Sequence, residues 1–522
     1  MSEDDIKKAV EGAEIIDFVQ KREEVTAGKL DEELSRLDNN DYGNGQRLIR
    51  RYGDRLTYVF GRGWYVWDGK RWQLDQESLR ARSLAHKTAL AIKKEAATMD
   101  PRKMIEEAQE KAMKTGKIVD YEGIHKAVEA QRKWASSSGS QARASAMLTE
   151  AAPYICASVD DLDADDYLIT VENGTIELKS AGMEKKGYIR LREHDQADRI
   201  TAKMSVVYDA DVDAPLWRKF LHRILPDEDV RLFVQRYFGY ILTGDQGEQC
   251  LCLFYGGGAN GKSTLMDVIA EIMADYTKTL PFASLLHNDN QRGSEASPDL
   301  ARLPGARYVQ ASEPDAGVRF SESLIKTVTG GEKITTRMLN KDFFEFRPQF
   351  KLVLAFNNRP GIRGADHGIW RRIKMVPFEV SIPEEERDPD LKEKLLKEKS
   401  GILNWMLDGY RMWRDMGLAA PTAITEATEE YKDEQNPLGV FVRDCLIRAK
   451  GQRIAATELY NIYVLWCKEN SRTEMTNNLF GRLLPEQGVD KIKYGKIFYD
   501  NVMLSSLAEE LRAPAGGENN EV

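Results

Sequence analysis

The chain has 522 residues, 42% hydrophobic and 30% charged, which fits a soluble globular protein of roughly three or four domains. No apolar run approaches the roughly 20 residues of a membrane span, and the acidic start Met-Ser-Glu-Asp-Asp-Ile lacks the basic and apolar parts of a signal peptide. A formal charge of −9 excludes a surface coated for nucleic acid, though not a basic channel inside a ring with an acidic exterior. The five cysteines show no metal-ligand spacing, and Cys250 and Cys252 read as core thiols, so a reducing, cytoplasmic setting is expected.

Residues 1–39 are charged and weakly periodic, an arm or appended helix ended by Asn39-Asn40-Asp41. A domain of mixed and helical character is expected over 40–245. It opens with a strand at Leu56–Phe60 and a hairpin over Gly63–Trp72 turning at Asp68-Gly69, whose tryptophans read as core rather than as base-stacking platforms. Residues 76–156 read as helices interrupted by a serine-glycine loop at Trp134–Ser140. Two strands, Tyr167–Val171 and Gly174–Leu178, follow the acidic run Asp160–Asp166, which reads as a solvated loop rather than a metal site. Helical signals dominate Pro215–Thr243. A nucleotide-binding core is expected over 246–380, a helical appendage over 381–430, a small separate domain over 431–510 and a disordered tail over 511–522.

The core carries the most specific signal. The apolar run Leu251-Cys-Leu-Phe-Tyr255 reads as a buried strand. Gly256, Gly257, Gly258, Ala259, Asn260 and Gly261 form a glycine-rich turn, and Lys262, Ser263 and Thr264 open a helix carrying Leu265, Val268 and Ile269. Glycines let backbone N–H groups converge on phosphate oxygens at a helix N-terminus. Lys262 then reaches the β- and γ-phosphates, and Ser263 ligates Mg²⁺. The loop implies binding and hydrolysis of a nucleoside triphosphate, with ATP and Mg²⁺ as the expected ligands.

Three further elements follow. Arg307–Glu313 reads as a strand ending in a carboxylate that can poise water and support Mg²⁺; Ser312 stands where many such ATPases carry a second acid, so Glu313 carries most of that role, helped by Asp315. Phe350–Asn358 is another buried strand, ending at the edge where α/β sheets bind ligands, with Asn357 placed to sense the γ-phosphate or to be a plain loop residue. Arg371 and Arg372 precede the strand ending at Phe378; either can supply a finger to a neighbouring subunit's γ-phosphate, while the other pairs with Asp366. Between these elements, Gly330-Gly331 starts a hairpin bearing Lys333, Arg337 and Lys341, which either grips a DNA phosphate or is a solvated surface hairpin.

Gly-Gly-Gly-Ala-Asn-Gly-Lys-Ser-Thr, Ser-Glu313, Gly-Gly-Glu-Lys-Ile-Thr-Thr-Arg, Phe-Lys-Leu-Val-Leu-Ala-Phe-Asn357 and Gly-Ile-Trp-Arg-Arg-Ile, in this order, resemble superfamily 3 helicases of the phage and plasmid primase-helicase family, related to the poxvirus primase-helicase. Upstream, Val171–Leu178 and Asp213–Trp217 are similar to that family's domain before the motor, and the resemblance spans about residues 40–510. It implies an α/β fold with an AAA+ core, a homo-hexameric ring, and ATP-driven travel on single-stranded or forked DNA. Members that make primers carry a polymerase-type domain ahead of the helicase part. About 40 residues precede the match here, so the expectation is a helicase served by a separate primase or polymerase. The tail resembles the family's winged helix, with helices over Thr457–Lys468 and Thr476–Glu486 and a wing over Asp490–Tyr499. There Lys491, Lys493 and Lys496 offer phosphate contacts, with protein docking as the competing use. Two other readings share the loop, a DNA-binding ATPase switch and an ATP-dependent protein remodeller.

Overall fold

The structure is a computed structural model and describes residues 27–178, 187–286, 298–312, 319–339, 343–362 and 367–512. Among these, no helix is long and apolar enough to cross a membrane. The expected tail 511–522 lies outside the described residues except for its first two, which end the helix Ser506–Arg512.

Runs such as Leu251–Tyr255 and Lys351–Phe356 have no polar alternation, so they need cover on both faces, as strands of parallel sheets do. Strands β1 (Leu251–Tyr255), β2 (Thr277–Thr279), β3 (Tyr308–Ser312), β4 (Lys351–Phe356) and β5 (Ile373–Pro377) form one parallel sheet in the order β5-β1-β4-β3-β2. One face (Cys252, Phe254, Val353, Ala355, Val376) packs with helix α1 (Lys262–Met273) and the helices Pro215–Ile224, Glu228–Ile241 and Lys399–Met416. The other face (Leu253, Leu354, Phe356, Val309, Met375) packs with the helix Glu322–Gly330, a hairpin at 334–346 and Tyr431. Burial on both sides pushes the Cys250 thiol up to about 12 and Cys252 well above its usual range, as inert core thiols require.

The segment expected as a helical appendage is built into this core. Lys399–Met416 lies across Glu228–Ile241 so closely that a Cβ on Gly239 or Gly409 would clash with the facing backbone, and Trp405, Met406 and Tyr410 are buried. The boundary expected at 430–431 falls inside a helix, Thr422–Gln435. Its Tyr431 is fully buried and donates its hydroxyl hydrogen bond to Pro360 O. The C-terminal unit starts at Pro437, with strands Leu446–Ala455, Asp490–Tyr494 and Lys496–Leu504, four helices, and its own aromatic core of Phe441, Tyr463, Trp466, Phe480 and Tyr499.

Upstream, part of the charged arm forms the helix Ala27–Leu34. The small sheet joins 72–74, 63–67, 56–59 and 156–157, and Trp64 and Trp72 fill cores. The serine-glycine interruption starts later than expected, because the helix Tyr121–Ser137 runs through Trp134. The Trp134 indole donates to Asn44 and lies under the Arg143 guanidinium, fixing that turn of helix. Arg47 is fully buried and each of its side-chain nitrogens donates: Nε to Glu95 at 2.7 Å, and its Nη atoms to Asp38 O and Leu37 O, both at 2.9 Å. Removing one partner from such a pair costs about 3–5 kcal/mol.

The acidic run is a seam between the two halves of the chain, not a solvated loop. Asp160 pairs with Lys333 at 2.7 Å. Asp163 is buried and accepts from the Thr201 N–H (2.8 Å) and hydroxyl (2.6 Å), with burial pushing its carboxyl up. Asp166 accepts from Gln349 at 2.8 Å and faces Arg307 (3.6 Å) and Arg347 (3.7 Å). These partners lie 38 to 183 residues away in sequence, so the run itself does not reveal them.

Candidate nucleotide site and hairpin

β1 pairs with both β4 and β5, Tyr255 standing opposite Phe356 and Pro377. From the carboxyl end of β1 the chain leaves toward β2 at one border of the sheet, whereas from the end of β4 it crosses back over β1 to β5. A crevice opens where such connections diverge. Gly256–Gly261 lies there. Gly256 has φ +154° and Gly261 φ +84°, and Ala259 is left-handed at φ +55°. A Cβ at Gly256 would clash with Phe378 O, and one at Gly261 would come within 2.5 Å of Ile224, so both positions require glycine. At Gly257 and Gly258 a Cβ would meet nothing, and both are exposed.

The loop is held from outside. Phe378 N donates to Tyr255 O (2.7 Å) and Ile382 N to Ala259 O (2.8 Å). Asn260 is buried and donates to Gly257 O (2.6 Å) and Phe378 O (3.2 Å). This clamp was not visible in the sequence, since its partner is 118 residues away. Lys262 is 6% exposed; its ammonium donates to Gly256 O (2.6 Å), Gly257 O (3.0 Å), Asn260 Oδ1 (3.1 Å) and Asn357 Oδ1 (3.3 Å). Helix α1 starts at Lys262 with no side chain capping its N-terminus, leaving backbone N–H groups directed at the loop. Ser263 is exposed on its first turn and Thr264 half-buried. A lysine among backbone carbonyls, an uncapped helix start and two open glycines suit a polyphosphate.

Asn357 follows β4 at the same edge. Two residues on, Arg359, which sequence reading passed over, stacks its guanidinium 4.3 Å from the Tyr255 ring centre and is ion-paired to Glu434 and, at 3.7 Å, Glu430. Glu313, expected to carry the carboxylate after Ser312, lies outside the described residues, as do Asp315 and Asp366.

Arg371 and Arg372 sit elsewhere. They precede β5, whose Ile373 pairs with Leu251, the first residue of β1. The arginines therefore stand at the amino edge, about 16 Å from the loop at ~3.3 Å per strand residue. Arg371 is exposed and Arg372 buried, and both donate to Gln249 Oε1, at 2.8 and 3.2 Å.

The hairpin pairs Ile334–Thr336 with Phe344–Phe346. Ile334, Thr336, Phe344 and Phe346 are buried, while Thr335 and Glu345 face out. Its root rests on the N-terminal half through Lys333–Asp160 and through Arg62, whose guanidinium is 5.4 Å from the Phe344 ring centre. A cavity of about 270 Å³, away from the glycine loop, lies at this seam between Arg62, Tyr65, Asp163, Lys333 and Arg347. Arg337 covers the exposed face of Phe343 at 4.5 Å; Lys341 lies outside the described residues. In the C-terminal unit, Lys493 and Lys496 are exposed beside the turn at Gly495, whereas Lys491 donates to Gly481 O at 2.8 Å and ties the hairpin to the helix Asn477–Leu483.

A family model described as D5 N terminal like matches residues 45–226, and one described as a family of unknown function, DUF5906, matches 254–372. A protein named as a putative helicase of Acanthamoeba polyphaga mimivirus is 31% identical over 333 residues, 59% of this chain and 34% of that protein. One named as a putative helicase of Frog virus 3 is 24% identical over 312 residues (54% and 32%), and one named as a putative primase of African swine fever virus is 23% identical over 348 residues (60% and 34%). The chain thus spans about a third of the length of these relatives. A solved structure of the NrS-1 C terminal region aligns at a TM-score of 0.39 with 16% identity, covering 62% of this chain and 83% of that one. The D5-like match thus lies ahead of the glycine loop, and the relatives named as putative helicases and a putative primase align with this chain over more than half of its length.

Proposed function

We propose that this chain is the ATP-hydrolysing motor of a replicative DNA helicase: an AAA+ core of superfamily 3 type that works as a ring, expected to be a hexamer, on single-stranded and forked DNA. The observation that carries this reading is the separation within the sheet. Lys262 and Asn357 meet at one edge, 3.3 Å apart, while Arg371 stands at the other, beyond reach of its own loop. A neighbouring subunit that presents its amino edge completes the site. The relatives named as helicases and primases support the same reading.

In this reading the loop N–H groups and Lys262 hold the β- and γ-phosphates, Ser263 and Glu313 hold Mg²⁺, and Asn357 orients the attacking water. Arg371 of the adjoining subunit meets the γ-phosphate. Mg²⁺ supplies neutralisation of charge on the phosphate oxygens. Arg372, buried at the same edge, supports Arg371. Lys333, Arg337 and Lys341 present the hairpin to the strand. Residues 437–512 act as a winged helix that touches DNA through Lys493 and Lys496. The test is the ATPase rate with and without single-stranded DNA, measured beside solution mass and forked-duplex unwinding. DNA-stimulated turnover by an oligomer that unwinds the fork is expected. A fully active monomer indifferent to DNA overturns the proposal, and stimulation by unfolded polypeptide instead identifies a protein remodeller.

A further inference from the structure

One amide serves both arginines. Gln249 Oε1 accepts from Arg371 Nη2 (2.8 Å) and Arg372 Nη1 (3.2 Å). Gln249 also holds φ +46°, a left-handed conformation that a residue other than glycine adopts at an energetic cost, and such strain gathers where a side chain must be aimed. The loop 244–250 that carries it reaches the hairpin on its other side. Gln249 N donates to Gln246 O (3.1 Å), and Gln246 Nε2 donates to Phe350 O (2.7 Å), just past the hairpin's second strand. The Gln246 side chain lies 3.4 Å from where a Cβ on Gly331 would stand, and Arg372 Nη2 lies 3.8 Å from that point on Gly330, at the turn where the hairpin begins.

We propose that Gln249 is a positioning residue for the arginine that acts across the subunit boundary, and that its loop links that arginine to the root of the DNA hairpin. This rests on the ring reading above. The chemistry favours an amide here. A guanidinium carries five N–H donors, and Gln249 engages one of Arg371's, so its remaining edge is free to turn toward a neighbour's phosphate while its direction is fixed. A carboxylate in this place would hold the arginines as firmly but cancel the charge that the γ-phosphate needs.

The test uses Gln249→Gly and Gln249→Ala in the full chain. Glycine accepts a left-handed backbone without strain, so Gln249→Gly retains the fold while losing the amide. The expected result is an unchanged melting temperature, a kcat about 10–100-fold lower as for a misplaced reacting group, and a KM for ATP within about twofold of the parent. Gln249→Gly subunits keep an intact phosphate loop, and Lys262→Ala subunits keep an intact arginine edge. Mixing the two should restore turnover, which a merely structural defect would not permit. Parental kcat in Gln249→Gly overturns the proposal. So does a loss that mixing fails to relieve while Arg371→Ala is relieved by the same partner. If Arg371→Ala is not relieved either, the across-subunit reading itself is wrong and this inference goes with it.

Discussion

The two edges of the central sheet are built on opposite principles. The carboxyl edge is made of backbone: three exposed residues, Gly257 to Ala259, a helix start without a cap, and one lysine resting on carbonyl oxygens. The amino edge is made of side chains. Arg307, Lys351 and Arg372 are buried there, with Asp166, Gln349 and Gln249 among their neighbours. An edge of backbone donors presents them ready-made to a ligand, with Lys262 the side chain that must turn away from its carbonyls. An edge of interlocked side chains is stiff, and it carries the hairpin root and the arginine pair together. The difference teaches where the work is divided. In the proposed ring, one subunit would hold the nucleotide, and its neighbour would both complete the site and carry the hairpin that responds.

The largest effects should separate the edges cleanly. Lys262→Ala should reduce hydrolysis to background while keeping the cooperative unfolding of the parent fold, at a modestly lower melting temperature because buried carbonyls lose their donor. Arg371→Ala, at the far edge, should reduce it by roughly 10³-fold or more, as loss of an arginine finger does. Mixed together, the two should recover activity, since each lacks a different edge. Equal turnover in pure Arg371→Ala and parental protein would leave the comparison with only one functional edge.

The carboxyl edge was legible in sequence because its information is local. Strand, glycine turn and helix occupy 23 successive residues, 251–273, and Asn357 directly ends an apolar run. What holds that edge was not legible, because the clamp on Asn260 comes from Phe378 and the limit on Gly261 from Ile224. The amino edge was nearly opaque. Asp160–Asp166 looked solvated, since nothing nearby announces Thr201, Lys333 or Gln349 as partners. Lys399–Met416 looked like an appendage because its apolar stripe does not say what it covers; two glycines, Gly239 and Gly409, are what let the helices meet.

A smaller effect tests the stiffness of the amino edge. Lys351 is 1% exposed, donates to Gln349 O at 3.2 Å and lies 4.3 Å from the Tyr240 ring centre; burial drives its pKa well below 10.5. Between the folded value and about 10.5 the unfolded chain binds a proton that the folded chain does not, so stability rises with pH across that window and levels above it. The parent should therefore gain stability relative to Lys351→Met as pH climbs toward about 10.5, read as melting temperature against pH. Parallel profiles would mean that Lys351 carries its charge at no cost, and the edge is wetter than the packing indicates.

The smallest effect falls on the hairpin root. The Asp160–Lys333 pair is 2.7 Å long, but both side chains are about half exposed, at 52% and 53%, so it contributes no more than about 1 kcal/mol. That still matters for a strand-gripping hairpin, because Asp160 occupies the ammonium that a DNA phosphate would take. Asp160→Asn should tighten single-stranded DNA binding by up to about fivefold at low salt. Lys333→Ala should weaken it and lower the salt slope by about one. The double variant decides between contact and field: if Asp160 acts by holding Lys333, Asp160→Asn adds nothing once Lys333 is gone. Equal tightening in both backgrounds would make Asp160 a source of general repulsion, and the hairpin root would then owe its position to other contacts, among them Arg62 against Phe344, Asp166 with Gln349 and Arg347, and Gln246 with Phe350 O.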